Sequence, residues 1–261
     1  LDINYNDLKT NNTLAIDNND ADGLLPATKN LFHDESSTTD PLAKVDDNKN
    51  FIDYAPWCSA NDCTSFTQDI SNTTQSKKYG AGQFERAFSE AAGNDTLTFD
   101  NAITYEGKTI NKAITLTGNN NATFTDSLTI SAAATLDNVN IDVDTNITAG
   151  ATIKNSDITK TLIVKSAGVK IGTTGNGNRF ALANDDTGIE SAGAGNYASI
   201  NIEDNTFEAS GSDDYTGINL GAHFTGGTMT ITNNTMTETI NFGIKIAGAS
   251  VATLTKNSIV S

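Results

Sequence analysis

Between Leu136 and Ile259 one short phrase keeps returning: an apolar residue, one to three small or polar residues, an asparagine, then an apolar residue again. It reads Leu136-Asp137-Asn138-Val139, then Ile153-Lys154-Asn155-Ser156-Asp157-Ile158, then Gly177-Asn178-Arg179-Phe180. It returns as Ile202-Glu203-Asp204-Asn205-Thr206-Phe207, Ile231-Thr232-Asn233-Asn234-Thr235-Met236 and Leu254-Thr255-Lys256-Asn257-Ser258-Ile259. The distance from one asparagine to the next drifts but never falls below the length of a short repeat. A second phrase runs in step: Gly188-Ile189, Gly217-Ile218-Asn219-Leu220, Gly243-Ile244-Lys245-Ile246. A repeat with drifting length describes a solenoid, in which one unit cannot bury its apolar side without its neighbours.

Within each repeat, β-branched and apolar residues alternate with Thr, Ser, Asn or Asp, as in Thr228-Met229-Thr230-Ile231-Thr232. That alternation puts one face inward and the other outward. No helical pattern of comparable length intervenes, which removes the leucine-rich and ankyrin classes. The expectation is an all-β coil of short strands, each paired in parallel with its counterpart one coil away, at a spacing of about 4.8 Å. An asparagine at a corner suits this geometry: its amide both donates and accepts, and it tolerates left-handed backbone. Asn138, Asn155, Asn178, Asn205, Asn234 and Asn257 are therefore expected to form a ladder of stacked side chains. The prolines agree, since Pro26, Pro41 and Pro56 all precede the repeats, and central strands do not accept proline.

The formal charge of −16, from 32 acidic against 16 basic residues, excludes several partners. Nucleic-acid affinity comes from Lys and Arg neutralising phosphates, so nucleic acid is not expected, and neither is an anionic membrane surface. No apolar run is long enough to insert in a membrane. The chain starts at Leu1 without Met, which suits a mature product or an excised segment. Cys58 and Cys63, beside Trp57, lack the nearby His or further Cys that a zinc site needs. A small disulfide loop is expected, and with it an oxidising, extracellular or cell-surface location.

Ahead of the repeats, Phe84, Ala87, Phe88 and Ala91 fall on one face of a helix. The whole stretch from Gly82 to Phe99 resembles the lead-in segment of right-handed parallel β-helix proteins with the pectin-lyase-like fold: a short capping helix near 83–92, a Gly-Asn-Asp turn, and a first strand. The segment His33 to Trp57, with Asn30, Pro41, Val45 and Ile52-Asp53-Tyr54-Ala55-Pro56-Trp57, is similar to the exit from a β-helix in bacterial and archaeal surface and periplasmic proteins of this kind. Phe32 stands where that motif usually has Trp. The resemblance implies a right-handed parallel β-helix over 82–261, terminal β-helix-like coils over 1–57, and a linker over 58–81.

The order of parts, the end of one β-helix before the start of another, reads either as one slice of a longer array or as head-to-tail contact between copies. Ile3-Asn4-Tyr5-Asn6-Asp7-Leu8 carries the phrase that recurs at Leu254–Ile259, so Ile3, Tyr5, Leu8, Leu254 and Ile259 are the assembly candidates. Two acidic loops, Ala183-Asn184-Asp185-Asp186-Thr187 and Ser210-Gly211-Ser212-Asp213-Asp214-Tyr215, precede the same Gly-Ile strand. Asp185, Asp186, Asp213 and Asp214 read either as calcium ligands or as solvated turns.

Many proteins of the resembling fold cleave polysaccharides, and the hydrolases among them pair carboxyls as acid and base. The candidates for such chemistry here are Asp185, Asp186, Asp213, Asp214, His223 and Lys245, but the spacing departs from that pattern. His223 follows Asp214 by less than one coil, and Lys245 lacks an accompanying arginine. Lyases of the fold need a basic cluster, whereas Lys154, Lys160, Lys165, Lys170, Arg179, Lys245 and Lys256 are scattered. His33 reads as a loop residue. Sugar binding would fall to Tyr197 and Tyr215. The reading is a non-catalytic extracellular structural or adhesive surface protein that assembles head-to-tail with other copies into a filament or forms one unit of a tandem β-helix array, with carbohydrate as a further partner class; the alternative is a polysaccharide lyase or glycoside hydrolase.

Overall fold

The computed structural model describes residues 69–80, 83–118, 121–193, 195–211, 214–224, 227–237, 240–247 and 251–260, together with short strands within 1–68. The chain divides into two compact units, 1–103 and 104–261.

The second unit is a parallel β-helix with three strands per coil. The first strand column contains Thr115–Thr117, Thr135–Asp137, Thr152–Lys154, Val169–Ile171, Ser199–Glu203, Thr228–Thr232 and Val251–Thr255. Its inward residues Leu116, Leu136, Ile153, Ile171, Ile202, Ile231 and Leu254 are in register, although the chain takes coils of quite unequal length to reach each from the last. The second column aligns Phe124, Ile141, Ile158, Phe180, Phe207, Met236 and Ile259. The third aligns Leu128, Thr145, Leu162, Ile189, Ile218 and Ile244. From Leu116 to Ile231 and from Phe124 to Met236 these positions are 0 % exposed. The modest apolar content therefore suffices, because it is concentrated in a narrow core running the length of the stack. Thr145 enters that core with its hydroxyl donated to the carbonyl of Val143 at 3.1 Å.

The Gly-Ile phrase has a packing cause. A Cβ on Gly188 would lie 2.8 Å from Cε1 of Phe207, and one on Gly217 would lie 2.7 Å from the Gly243 carbonyl and 3.0 Å from Cε of Met236. The missing side chains make room for the second column, where the Phe180 and Phe207 rings stack with centroids 4.5 Å apart.

Extra length goes into corners. Between Ile171 and Asn178 the chain adds a small antiparallel turn bridging Thr173 and Asn176. Gly172, at φ +75°, approaches the Glu203 carbonyl so closely that any Cβ would overlap it.

In the first unit, Asp7–Lys9, Ile16–Asp17 and Leu25–Pro26 pair in parallel, in that order, with Leu31–Asp34, Val45–Asp46 and Ile52–Asp53. The registers are Leu8 to Phe32, Ile16 to Val45 and Leu25 to Ile52. This is the same three-strand order as in the second unit. A hairpin follows, with Cys58 opposite Phe66. The side chain of Cys58 and all of Cys63 lie outside the described residues, as do Ile3 and Tyr5 and the side chains of Leu8 and His33.

Further along, Ile70–Asn72 pairs antiparallel with both Lys77–Tyr79 and Thr96–Phe99. The helix expected near 83–92 spans Phe84–Glu90. Gln83 begins it by exchanging bonds with Gly80: its side-chain oxygen accepts from the Gly80 amide at 3.0 Å, and its own amide donates to the Gly80 carbonyl at 3.0 Å. Phe84, Ala87 and Phe88 are buried, and the Phe84 ring stacks on Phe88 and Phe99. The helix and the strand Thr96–Phe99 fall within the unit 1–103.

Candidate functional site

The asparagine ladder is continuous through four coils. The Asn178 backbone amide and side-chain amide both donate to Oδ1 of Asn205, at 2.9 Å each. Asn205 repeats this toward Asn234 at 3.0 and 2.9 Å, and Asn234 toward Asn257 at 3.0 Å for both bonds. Each Nδ2 also donates back to a first-column carbonyl: Asn178 to Ile153, Asn205 to Ile171, Asn234 to Ile202 and Asn257 to Ile231.

Asn138 and Asn155 are not rungs. They stand one residue earlier, in the left-handed corner position, with φ of 60° and 52°. Asp204, Asn233 and Lys256 hold that position in later coils. The rung positions beside Asn138 and Asn155 are Val139 and Ser156. There the Ser156 hydroxyl accepts from the Val139 amide at 3.3 Å, while its backbone amide donates to Oδ1 of Asn178 at 3.1 Å. The corner has two asparagine-compatible places side by side, and the short coils fill the outer one.

The ladder ends in donors. Asn257 accepts from Asn234 and donates one Nδ2 hydrogen to Ile231; among the described residues no acceptor faces its backbone amide or its second Nδ2 hydrogen. The coil carrying Asn257 is open on the same side. Val251, Leu254, Ile259 and Val260 are 70, 45, 53 and 58 % exposed, and Phe242 is 52 % exposed. The counterparts of Leu254 and Ile259 one coil earlier, Ile231 and Met236, are fully buried, whereas Val251 and Val260 follow the outward positions Thr228 and Thr237. Of the five assembly candidates, Leu254 and Ile259 thus lie together on one apolar surface, and Leu8 lies in a strand of the first unit in register with Phe32.

The acidic loops do meet. The Asp185 amide donates to the Asp214 carbonyl at 2.8 Å, stacking the two corners. Asp186 is occupied: Oδ2 accepts from the Ala183 amide at 3.3 Å and lies 3.7 Å from Nζ of Lys160. Asp213 lies outside the described residues. The same edge of the stack holds a groove of about 480 Å³ lined by Asp126, Asp142, Asp144, Lys160, Thr161 and Asp186. Sequence reasoning missed this groove because its members are brought together only by coil register. Its carboxylates cap neighbouring corners: Asp142 accepts from the Thr159 hydroxyl, and Asp144 accepts from the Thr161 amide at 3.1 Å. Among the described residues no group of three His, Cys, Asp or Glu side chains has a metal-binding arrangement.

His223 does not join the acidic corner. It sits in the turn Ala222–Phe224, beyond the strand Tyr215–Leu220 that begins next to Asp214. A strand of that length spans about 20 Å, so the imidazole and these carboxyls cannot share a proton. Lys245 projects outward, with Nζ 5.4 Å from the centre of the Phe242 ring. Tyr197 and Tyr215 are not sugar platforms. They are 8 and 0 % exposed, with hydroxyls donated to Ala192 and to Phe207 and Thr237 carbonyls.

No protein-family model matches the chain, and no curated protein or solved structure does either. Among the described residues no helix is long and apolar enough to cross a membrane.

Proposed function

We propose that this chain is a non-catalytic structural or adhesive β-helix of an extracellular surface, of the right-handed pectin-lyase-like type, and that it works by joining end to end with further coils. What supports this reading is the stack itself: parallel strand columns whose in-pointing residues keep register from coil to coil, with Asp142, Asp144 and Asp186 engaged as corner caps. A further coil stacked in the same register would cover the in-pointing positions of Leu254 and Ile259 and remove apolar surface from water, at about 25 cal/mol per Å². It would also satisfy a row of strand groups that otherwise invites unspecific pairing. Addition of parallel strands gives such a joint its direction, and a head-to-tail contact extends into a filament unless its rotation closes a ring. A disulfide between Cys58 and Cys63 would favour a secreted location.

The alternative, a polysaccharide lyase or hydrolase, draws on the acidic groove. Against it stand the distance from His223 to the acidic corner, the engagement of Asp142, Asp144 and Asp186 as corner caps, and the lack of any basic cluster in the groove beyond Lys160. Incubation with acidic and neutral polysaccharides, followed by reducing-end and unsaturated-product assays, separates the two readings. The structural reading expects no product and concentration-dependent assemblies in negative-stain images. Product formation would overturn it.

A further inference from the structure

We propose that Asn176 is a self-modification site: its side-chain amide is lost through a cyclic imide formed with the backbone nitrogen of Gly177, and the resulting isoaspartate loosens the first asparagine rung, Asn178. The site lies in a corner turn in the middle of the stack, and its chemistry holds whether or not copies join end to end.

Asn176-Gly177 is the only Asn-Gly dipeptide in the sequence. A glycine after asparagine leaves the approach to the side-chain carbonyl open, because no Cβ stands in the way. Packing imposes that glycine here: a Cβ on Gly177 would overlap the Asp204 carbonyl of the next coil. Asn176 itself is exposed, and its Nδ2 donates only to the Thr174 carbonyl, at 3.1 Å. Among the described residues nothing accepts a hydrogen from the Gly177 amide. The corner asparagines differ in this respect. The amides that follow Asn138, Asn155 and Asn233 donate to the Ser156 hydroxyl, to Oδ1 of Asn178 and to Oδ1 of Asn257. Their nitrogens are tied into the ladder, and that of Gly177 is not.

In the reaction the Gly177 nitrogen bonds to Cγ of Asn176, the bond from Cγ to Nδ2 breaks, and Nδ2 leaves as ammonia with the proton that the Gly177 nitrogen gives up. Water then opens the imide. Attack at Cγ gives aspartate; attack at the main-chain carbonyl gives isoaspartate, whose main chain runs through Cβ and Cγ and is longer by a methylene. The turn has no slack for that methylene. Asn176 is bridged to Thr173, donating at 2.7 Å and accepting at 3.2 Å, while the Gly177 carbonyl accepts from the Asn155 amide at 3.1 Å. The next residue is Asn178, buried, with its backbone amide and Nδ2 both on Oδ1 of Asn205. The added length pushes on this rung. The new carboxylate also enters a turn already held by two others, since the Thr174 hydroxyl donates to Glu203 and the Gly175 amide to Asp204.

The test incubates the full folded chain in neutral and in mildly alkaline buffer. Peptide mass mapping follows every asparagine, and labelling by an isoaspartate-specific methyltransferase counts the isomerised product. Conversion is expected to concentrate at Asn176, to run faster in the alkaline buffer, and to fall to background in Asn176→Gln, whose longer side chain has to close a larger ring. The denaturant midpoint should drop as isoaspartate accumulates, and Asn176→Asp, which has the charge without the methylene, should drop less. An Asn176 that keeps its amide in the folded chain but loses it in the urea-unfolded chain overturns the site. So does conversion spread evenly over Asn138, Asn155, Asn176 and Asn233. Isoaspartate at 176 with an unchanged midpoint overturns the coupling to Asn178.

Discussion

Asn205 gives a side-chain amide hydrogen to Oδ1 of Asn234 at 2.9 Å, while its own oxygen accepts both the backbone and the side-chain amide of Asn178. Asn205 and Asn234 are 0 % exposed. Water cannot replace either partner, so each residue in the series depends on the next.

Truncating Asn205→Ala leaves two Asn178 donors and the Ile171 carbonyl without the partner they have now. Each buried group left unpaired costs about 1–3 kcal/mol. The expected loss is at least about 3 kcal/mol in urea or guanidinium unfolding, one such cost for each of the three groups. Asn155→Ala should cost only about 1 kcal/mol, for left-handed backbone and one hydrogen bond to Asp137. Equal losses at 155 and 205 would mean that the inner position has no special standing.

Gly188→Ala places a methyl group 2.8 Å from the Phe207 ring and 2.9 Å from the Gly217 carbonyl. Overpacking of this kind costs about 1–3 kcal/mol. Gly211→Ala, where a Cβ meets nothing within 4 Å, serves as the control and should be neutral. Shrinking the ring with Phe207→Leu should recover part of the Gly188→Ala loss, seen as a favourable coupling in a double-mutant cycle.

Acid should weaken the first unit through Asp95. The side-chain amide of Asn72 donates to its carboxylate at 2.9 Å, the Ala92 amide at 2.9 Å and the Gln75 amide does so as well, and together they hold its pKa below the ordinary carboxylate value. A lowered folded-state pKa means that the stabilisation is complete above the unfolded value of about 3.9 and disappears as pH falls through the lower, folded value. Denaturant midpoints measured down this acidic window should therefore drop in the wild type. The Asp95→Asn variant should lose that component of the slope. Glu90 contributes with the same sign: partial burial raises its pKa, but hydrogen bonds from Lys77, Arg86 and Tyr79 outweigh it.

The coil and its strand alternation were legible because they are written locally: Thr228 to Thr232 shows its inward and outward faces without reference to anything else. The rungs at Asn178, Asn205, Asn234 and Asn257 were legible for the same reason. Asn138 and Asn155 misled because the left-handed corner residue and the inward residue are neighbours, and asparagine suits both. Asn233-Asn234 displays the two places together. The groove of Asp126, Asp142, Asp144 and Lys160 left no signal along the chain. Its residues come from coils whose lengths vary, and their alignment depends on pairing that no local motif encodes. Nothing in the neighbouring sequence marks Tyr197 and Tyr215 as buried, yet each turns inward and hands its hydroxyl to a backbone carbonyl.

The unequal coil lengths have a consequence for how such a chain can change. From Ile171 to Ile202 the main chain takes nearly twice as long a path as from Leu136 to Ile153, yet both pairs remain in line. Core and periphery are thereby uncoupled. A corner can gain or shed a whole loop, and with it an epitope or a contact, without renegotiating the interior. The scaffold tolerates ornament at its edges and is strict only where a Cβ would strike the coil above.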